Sequence, residues 1–282
     1  MSILDFRGHQ LWYEQTGSGP PMLLLHNGGN DHRIWDRQVA HFADRHRVVV
    51  VDHLGYGQSD KPAIEYDLPL YREQVATLVE QLQLAPVHLV GLCMGGAMSL
   101  AYTLSQPQQV ATLTLLNVAT EETLSTGPLA LAYRTFSASR EQLAAFVGRI
   151  ETEGMSAEET AESIRIQFAR GGACPSAEFA QYLHELYNRP GQMRSLYTLL
   201  ANWKSFAAVD HFTKPPGFPP SMLFWGAENQ ILPEPEGLRF AERLAPDRFE
   251  RLEGCGHLAM MEQPRRVNAA IDDFLAHAAP TN

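Results

Sequence analysis

The stretch Val87-His88-Leu89-Val90-Gly91-Leu92-Cys93-Met94-Gly95-Gly96-Ala97 decides how this chain of 282 residues folds. Val87 to Val90 is a short apolar run that reads as a strand, and Gly96 to Ser105 reads as a helix. Between them stands a Gly91-x-Cys93-x-Gly95 box. Strand, sharp turn, helix is the setting of a nucleophile elbow, which exposes one side chain above the end of a sheet. That side chain is usually a serine; here it is a thiol. The following helix points its N-terminus at the thiol, which favours the thiolate.

Outward from the box, short apolar runs alternate with helical periodicity. Leu11 to Glu14, Met22 to Leu25, Val48 to Val51 and Ala111 to Leu116 read as strands, and Arg37 to Ala43 and Tyr71 to Leu82 as helices. Such alternation predicts βαβ units and a mostly parallel sheet, an α/β fold. From about Glu121 to His211 the pattern is helical with no strand-like run. Met222 to Trp225 resumes the sheet, followed by a helix over Pro235 to Leu244, a strand over Arg248 to Leu252 and a helix over Pro264 to His277. The helical stretch is therefore expected to be an insertion between two strands. Thr126-Gly127-Pro128 punctuates its start and Lys214 to Pro220 its end. The expected organisation is a core of residues 1–120 and 214–282 with a helical cap, or lid, of residues 121–213. The end from Ala278 reads as frayed.

Composition narrows the function. A chain of this length with 45% hydrophobic residues builds one large core. The formal net charge of -10 lacks the basic footprint that nucleic acid requires. No apolar run approaches the roughly 18 residues of a membrane span, and polar residues from Asp5 to Gln10 break up any secretory signal. Cys93, Cys174 and Cys255 are odd in number and widely spaced, which fits a reducing compartment, so a cytoplasmic location is expected. Metal and nucleotide motifs are missing: no H-E-x-x-H, no paired C-x-x-C, no Gly-rich phosphate loop. No metal or cofactor is expected.

Four blocks, each after an expected strand, carry a family resemblance. They are Leu24-Leu25-His26-Asn27-Gly28-Gly29 followed by Trp35, Val51-Asp52-His53-Leu54-Gly55-Tyr56-Gly57-Gln58-Ser59-Asp60-Lys61-Pro62, the Cys93 box, and Leu252-Glu253-Gly254-Cys255-Gly256-His257 followed by Glu262-Gln263-Pro264. In this order they resemble the α/β-hydrolase superfamily over nearly the whole chain, as a capped member with a cysteine nucleophile. The resemblance implies that His257 is the base for Cys93. It implies an oxyanion hole from the backbone N–H groups of Met94 and Gly28. It assigns the Asp52 to Pro62 block and His26 structural roles.

The chain departs from the family at the third catalytic position. In Trp225-Gly226-Ala227-Glu228-Asn229 the place of the usual acid is taken by Asn229, 28 residues before His257. A Cys-His-Asn set is chemically coherent. A thiol that has already passed its proton to histidine leaves the third residue only the ring's tautomer to hold, and an amide can do that. The rivals for the role are the adjacent Glu228 and the residues after the pre-cap strand, Asn117, Glu121 and Glu122. Candidate pocket residues are Asn27, where the family usually has glycine, His32 and Trp203. Asn30, Asp31 and His32 either face substrate or cap the following helix.

The expected activity is hydrolysis of an ester or thioester, such as an acyl-CoA or carrier-bound acyl group, through an acyl-enzyme on Cys93. The alternatives are acyl transfer to an acceptor other than water, in an acyltransferase, condensing or cyclising enzyme; C–C bond hydrolysis; and a non-catalytic small-molecule binder. The expected partner is a small acyl substrate, neither nucleic acid nor membrane; the sequence leaves oligomeric state open.

Overall fold

The computed structural model describes residues 2–172 and 175–278. Cys174 and the end beyond Ala278 lie outside the described residues. Eight strands form one sheet: β1 Ser2–Phe6, β2 His9–Thr16, β3 Pro21–Leu25, β4 Arg47–Val51, β5 Val87–Leu92, β6 Val110–Leu116, β7 Ser221–Gly226 and β8 Arg248–Leu252. Their spatial order is β1-β2-β4-β3-β5-β6-β7-β8. The pairs β1–β2 and β2–β4 are antiparallel and the other five are parallel. This is the α/β-hydrolase fold. β1 was not expected: its alternating, half-exposed pattern lies at the sheet edge, where little apolar surface marks it.

The helices are α1 Asp36–Phe42, α2 Leu68–Gln81, α3 Met94–Ser105, α4 Glu121–Ser125, α5 Ala130–Ala138, α6 Arg140–Glu153, α7 Ala157–Arg165, α8 Ala177–Tyr187, α9 Gln192–Ala201, α10 Glu234–Leu244, α11 Ala259–Glu262 and α12 Pro264–Ala278. Two sides of the central strands serve two cores. Leu23, Leu25, Val49, Val51, Leu89 and Leu113 join the core that includes α2 and α3, while Leu24, Val50, Val90, Leu116, Met222 and Phe224 join the core that includes α1 and α12. Successive side chains point to opposite faces, and both faces are covered. Parallel strands buried in this way read as continuous apolar runs, which is why they are visible in the sequence.

Between β6 and β7 the chain leaves the sheet and runs through α4 to α9 and a short 3-10 segment, Trp203–Val209. Several of these helices announce their starts: Thr120 and Ser156 close capping boxes, and Ser139 and Ser176 accept from backbone N–H groups in the first turns of α6 and α8.

Candidate active site

The elbow at Cys93 is made by backbone. Cys93 sits at φ 53° and ψ -109°, a conformation that costs a non-glycine residue about 1–3 kcal/mol. The surroundings hold it there. Its N–H donates to the Leu116 carbonyl at 2.9 Å, and its own carbonyl accepts from Ala97 N at 3.0 Å and Ala119 N at 3.2 Å. A Cβ on Gly91 would strike the Gly95 carbonyl, and one on Gly95 the Leu25 carbonyl. Only glycine lets β5, α3 and the end of β3 come this close.

The turn after β3 is held by a chain of neutral histidines. The His53 N–H donates to His26 Nε2 at 3.0 Å, which leaves the His26 proton on Nδ1, donating to the Asn27 carbonyl at 2.7 Å. His53 Nε2 donates to the His26 carbonyl at 3.2 Å, and Gln74 Nε2 donates to His53 Nδ1 at 2.8 Å. Burial pulls His26 down to about 4 and His53 well below its ordinary value. Asp52, buried behind this turn, accepts from His32 N at 2.9 Å, His32 Nδ1 at 2.8 Å and Gln58 N at 2.7 Å.

Cys93, Met94, Gly28, Asn27 and His257 all border one cavity of about 140 Å³, and so does Trp203. Most of its wall is apolar, and α9 is the element that contributes most to it. Gly28 lies so close to this wall that a Cβ would approach Leu196 Cδ1 to 2.9 Å.

The family described as alpha/beta hydrolase fold matches residues 20–264. The chain belongs to it. Among relatives, a 2-hydroxy-6-oxo-2,4-heptadienoate hydrolase of Pseudomonas putida is 24% identical, with 93% of this chain and 91% of that protein covered. A monoacylglycerol lipase of Homo sapiens is 25% identical, with 99% and 80% covered. Among solved structures, a thermophilic esterase from Thermogutta terrifontis superposes with a TM-score of 0.78 at 24% identity, covering 98% of this chain and 97% of that one.

Within this α/β-hydrolase fold several expectations are corrected. The hydrogen bond expected from Asn229 to His257 is absent. Asn229 Oδ1 accepts from Ile231 N and Leu232 N, both at 3.0 Å, closing a local turn. Short amides make such bonds readily. Asn229 Nδ2 and His257 Nδ1 are both buried without a partner. Glu228 is exposed, its direction set by the backbone bond from its N–H to the Cys255 carbonyl at 2.9 Å. Glu122 pairs with Arg243 at 2.7 Å, and Glu121 stands in the first turn of α4, where a carboxylate complements the helix dipole. None of the three carboxylates meets His257 Nδ1.

The primed thiolate is corrected too. Burial pushes the Cys93 thiol up to about 12, against a smaller lowering by the Met94 N–H, and pulls His257 down to about 3. The apolar cavity disfavours either charge, which works against the thiolate expected there. His32 is a third correction: bound to Asp52 and packed on Trp12 with ring centroids 4.1 Å apart, it does not line the cavity. Asp31 caps the turn through Arg33 N at 3.1 Å.

Two residues, Gln167 and Tyr187, escaped the sequence reading as site residues, and Asn117, weighed there as a rival third member, has a different role. Asn117, at φ 44°, accepts from Gly226 N at 2.9 Å and donates to the His257 carbonyl at 2.9 Å, tying together the ends of β6 and β7 and the histidine loop. The carbonyl of Gln167 accepts from His257 N at 2.9 Å and Leu258 N at 3.1 Å. Its side chain accepts from Asn30 Nδ2 at 2.7 Å and donates to Tyr187 Oη at 3.0 Å. Asn117 carried a signal, an Asn at a strand end beside the family's variable acid position. Gln167 and Tyr187 carried none.

Proposed function

We propose that this protein hydrolyses activated acyl compounds, thioesters above all, through an acyl-enzyme on Cys93, with the helical insertion acting as a lid. The observation that carries the reading is Cys93 held at a strained elbow and opening on the same cavity as His257, Met94 and Gly28.

His257 takes the thiol proton as Sγ attacks the acyl carbon. The oxyanion that forms accepts from the Met94 and Gly28 N–H groups; such donors are worth roughly 10²–10³ in rate each. Collapse expels the leaving group, which carries away the proton held by His257, and leaves a thioester on Cys93 with the imidazole neutral again. Water, losing a proton to His257, then attacks the thioester and releases the acid and the free thiol. With no carboxylate behind the ring, the imidazolium formed on the way is poorly stabilised. Leaving groups that depart without strong protonation, thiolates and phenolates, are therefore favoured over amines.

An apolar cavity also suits transfer to an acceptor other than water, since water must be kept out for that outcome. One experiment addresses both readings. Wild type and Cys93→Ala are offered an acyl-thioester panel with and without alcohol, amine and thiol acceptors, and read by intact mass and product analysis. The expected result is an acyl adduct on Cys93 that decays to free acid. Decay only when an acceptor is present would make the protein an acyltransferase. Turnover that survives Cys93→Ala would remove the acyl-enzyme reading.

A further inference from the structure

The chemistry of the cavity wall restricts what it can hold. Among the described residues that border it, none is an Asp, Glu, Lys or Arg. The groups that are able to ionise there are held neutral. Burial keeps the Cys93 thiol protonated and His257 deprotonated, and raises the Tyr133 and Tyr187 phenols above their ordinary range. The polar part of the wall is the neutral amides of Asn27 and Gln167, the Ser163 hydroxyl and the phenols of Tyr133, Tyr187 and Tyr197. Asn27 Oδ1 accepts from Asn30 Nδ2 at 2.9 Å, and Gln167 bridges Asn30 and Tyr187. The Asn27 amide nitrogen has only a long contact, 3.5 Å, to a Gln167 oxygen that Asn30 already uses. This wall is able to solvate a carbonyl or hydroxyl. Beyond the Met94 and Gly28 N–H groups beside Cys93, it offers nothing to pair with a full charge, and a buried unpaired charge is strongly disfavoured.

We infer that the cavity before Cys93 is built for an uncharged acyl group and rejects one that carries a carboxylate, phosphate or ammonium. The inference rests on the acyl-enzyme reading of the same site and adds its substrate class. It separates this chain from the Pseudomonas putida relative, which is named for a carboxylate substrate.

Two alkylating reagents of nearly equal size test it. Iodoacetamide is neutral and iodoacetate is an anion. Each is reacted with the native protein, Cys93 labelling is followed by peptide mass spectrometry, and each rate is divided by that of the same peptide in the guanidinium-unfolded chain. The normalised rate should favour iodoacetamide by about 10²-fold or more, and Leu129→Arg, which places a cation in the wall, should narrow that gap by about tenfold or more. Equal normalised rates would overturn the inference.

Should the native thiol resist both reagents, paired p-nitrophenyl esters decide: an alkanoate against the alkanedioate half-acid of the same length. A preference for the neutral ester of about 10²-fold supports the inference. Equal turnover of the two, or turnover of neither, overturns it. The two proposals fail separately. Charge discrimination in alkylation without any acyl-enzyme removes the acyl-enzyme reading alone; acyl-enzymes formed equally from both esters remove this inference alone.

Discussion

The elbow around Cys93 and the paired loops that carry Asn229 and His257 make an instructive contrast. At the elbow the geometry is made by main chain. Three backbone hydrogen bonds and two glycines fix Cys93 at positive φ, and nothing in that arrangement depends on whether the side chain ends in oxygen or sulfur. In the loops, by contrast, the relay must be made by side chains. There Asn229 spends its oxygen on Ile231 and Leu232, while its nitrogen and His257 Nδ1 stay unpartnered. A backbone-made feature survives a change of residue; a side-chain-made one is rewritten by it. On the proposed mechanism, the half-buried thiol and the unsupported imidazole are two sides of one change: a nucleophile that gives up its proton only during attack, and a base without a carboxylate behind it.

The sharpest way to break this contrast is the pH dependence of Cys93 alkylation. With the thiol pushed up to about 12, the thiolate fraction is small throughout the accessible range. It should grow about tenfold per pH unit, so the iodoacetamide rate should rise by about 10⁴ between about pH 5 and pH 9 with no plateau. A plateau beginning near or below neutrality would mean that the thiolate is primed after all, and that the loops do more than their hydrogen bonds suggest.

Next in size is the loss of the base. His257→Ala should lower turnover of an activated thioester by about 10²–10⁴, the usual worth of a positioned general base, while KM changes little. A loss below tenfold would mean that the oxyanion donors and proximity carry the reaction. The imidazole would then belong with His26 and His53 as a packed ring.

Much of this was legible in advance. The strands from β3 to β7 were found within a few residues, because burial on both faces gives apolar runs that need no context. The elbow was legible because glycines at fixed spacing around a strand end have one main use. The third catalytic position was not. Reading Asn229 as the tautomer holder assumed that position in the loop decides what an amide bonds to, whereas Asn closes its own turn when backbone N–H groups are two and three residues away. The role of Gln167 was illegible for another reason. A single glutamine in a helical insertion becomes a bridge only once the insertion is folded back over the turn after β3.

A smaller effect sharpens the loop side of the contrast. Cys93→Ser should lose most activity, since a serine proton is harder to remove and His257 has no carboxylate to sustain its charge. Adding Asn229→Asp should recover part of the loss, on the order of tenfold, and should raise the pKa of His257, because a nearby carboxylate favours the imidazolium. The ring would then titrate closer to neutrality instead of near 3, visible as a shift in its NMR pH titration. Recovery without that shift, or a shift without recovery, would place the missing support at another residue, with Glu121 and Glu122 the next to change.

The mildest change concerns the insertion's grip on both regions. Gln167→Leu keeps the carbonyl that receives the His257 and Leu258 N–H groups but removes the amide that meets Asn30 and Tyr187. Those two buried groups would lose a partner, at about 1–3 kcal/mol of stability, read as a lower denaturant midpoint with an unchanged slope. Because the backbone support of His257 is intact, the pH profile of turnover should stay where it is. A displaced profile would show that the amide network reaches the histidine through the turn after β3. The contrast between a main-chain elbow and a side-chain relay would then extend into the lid itself.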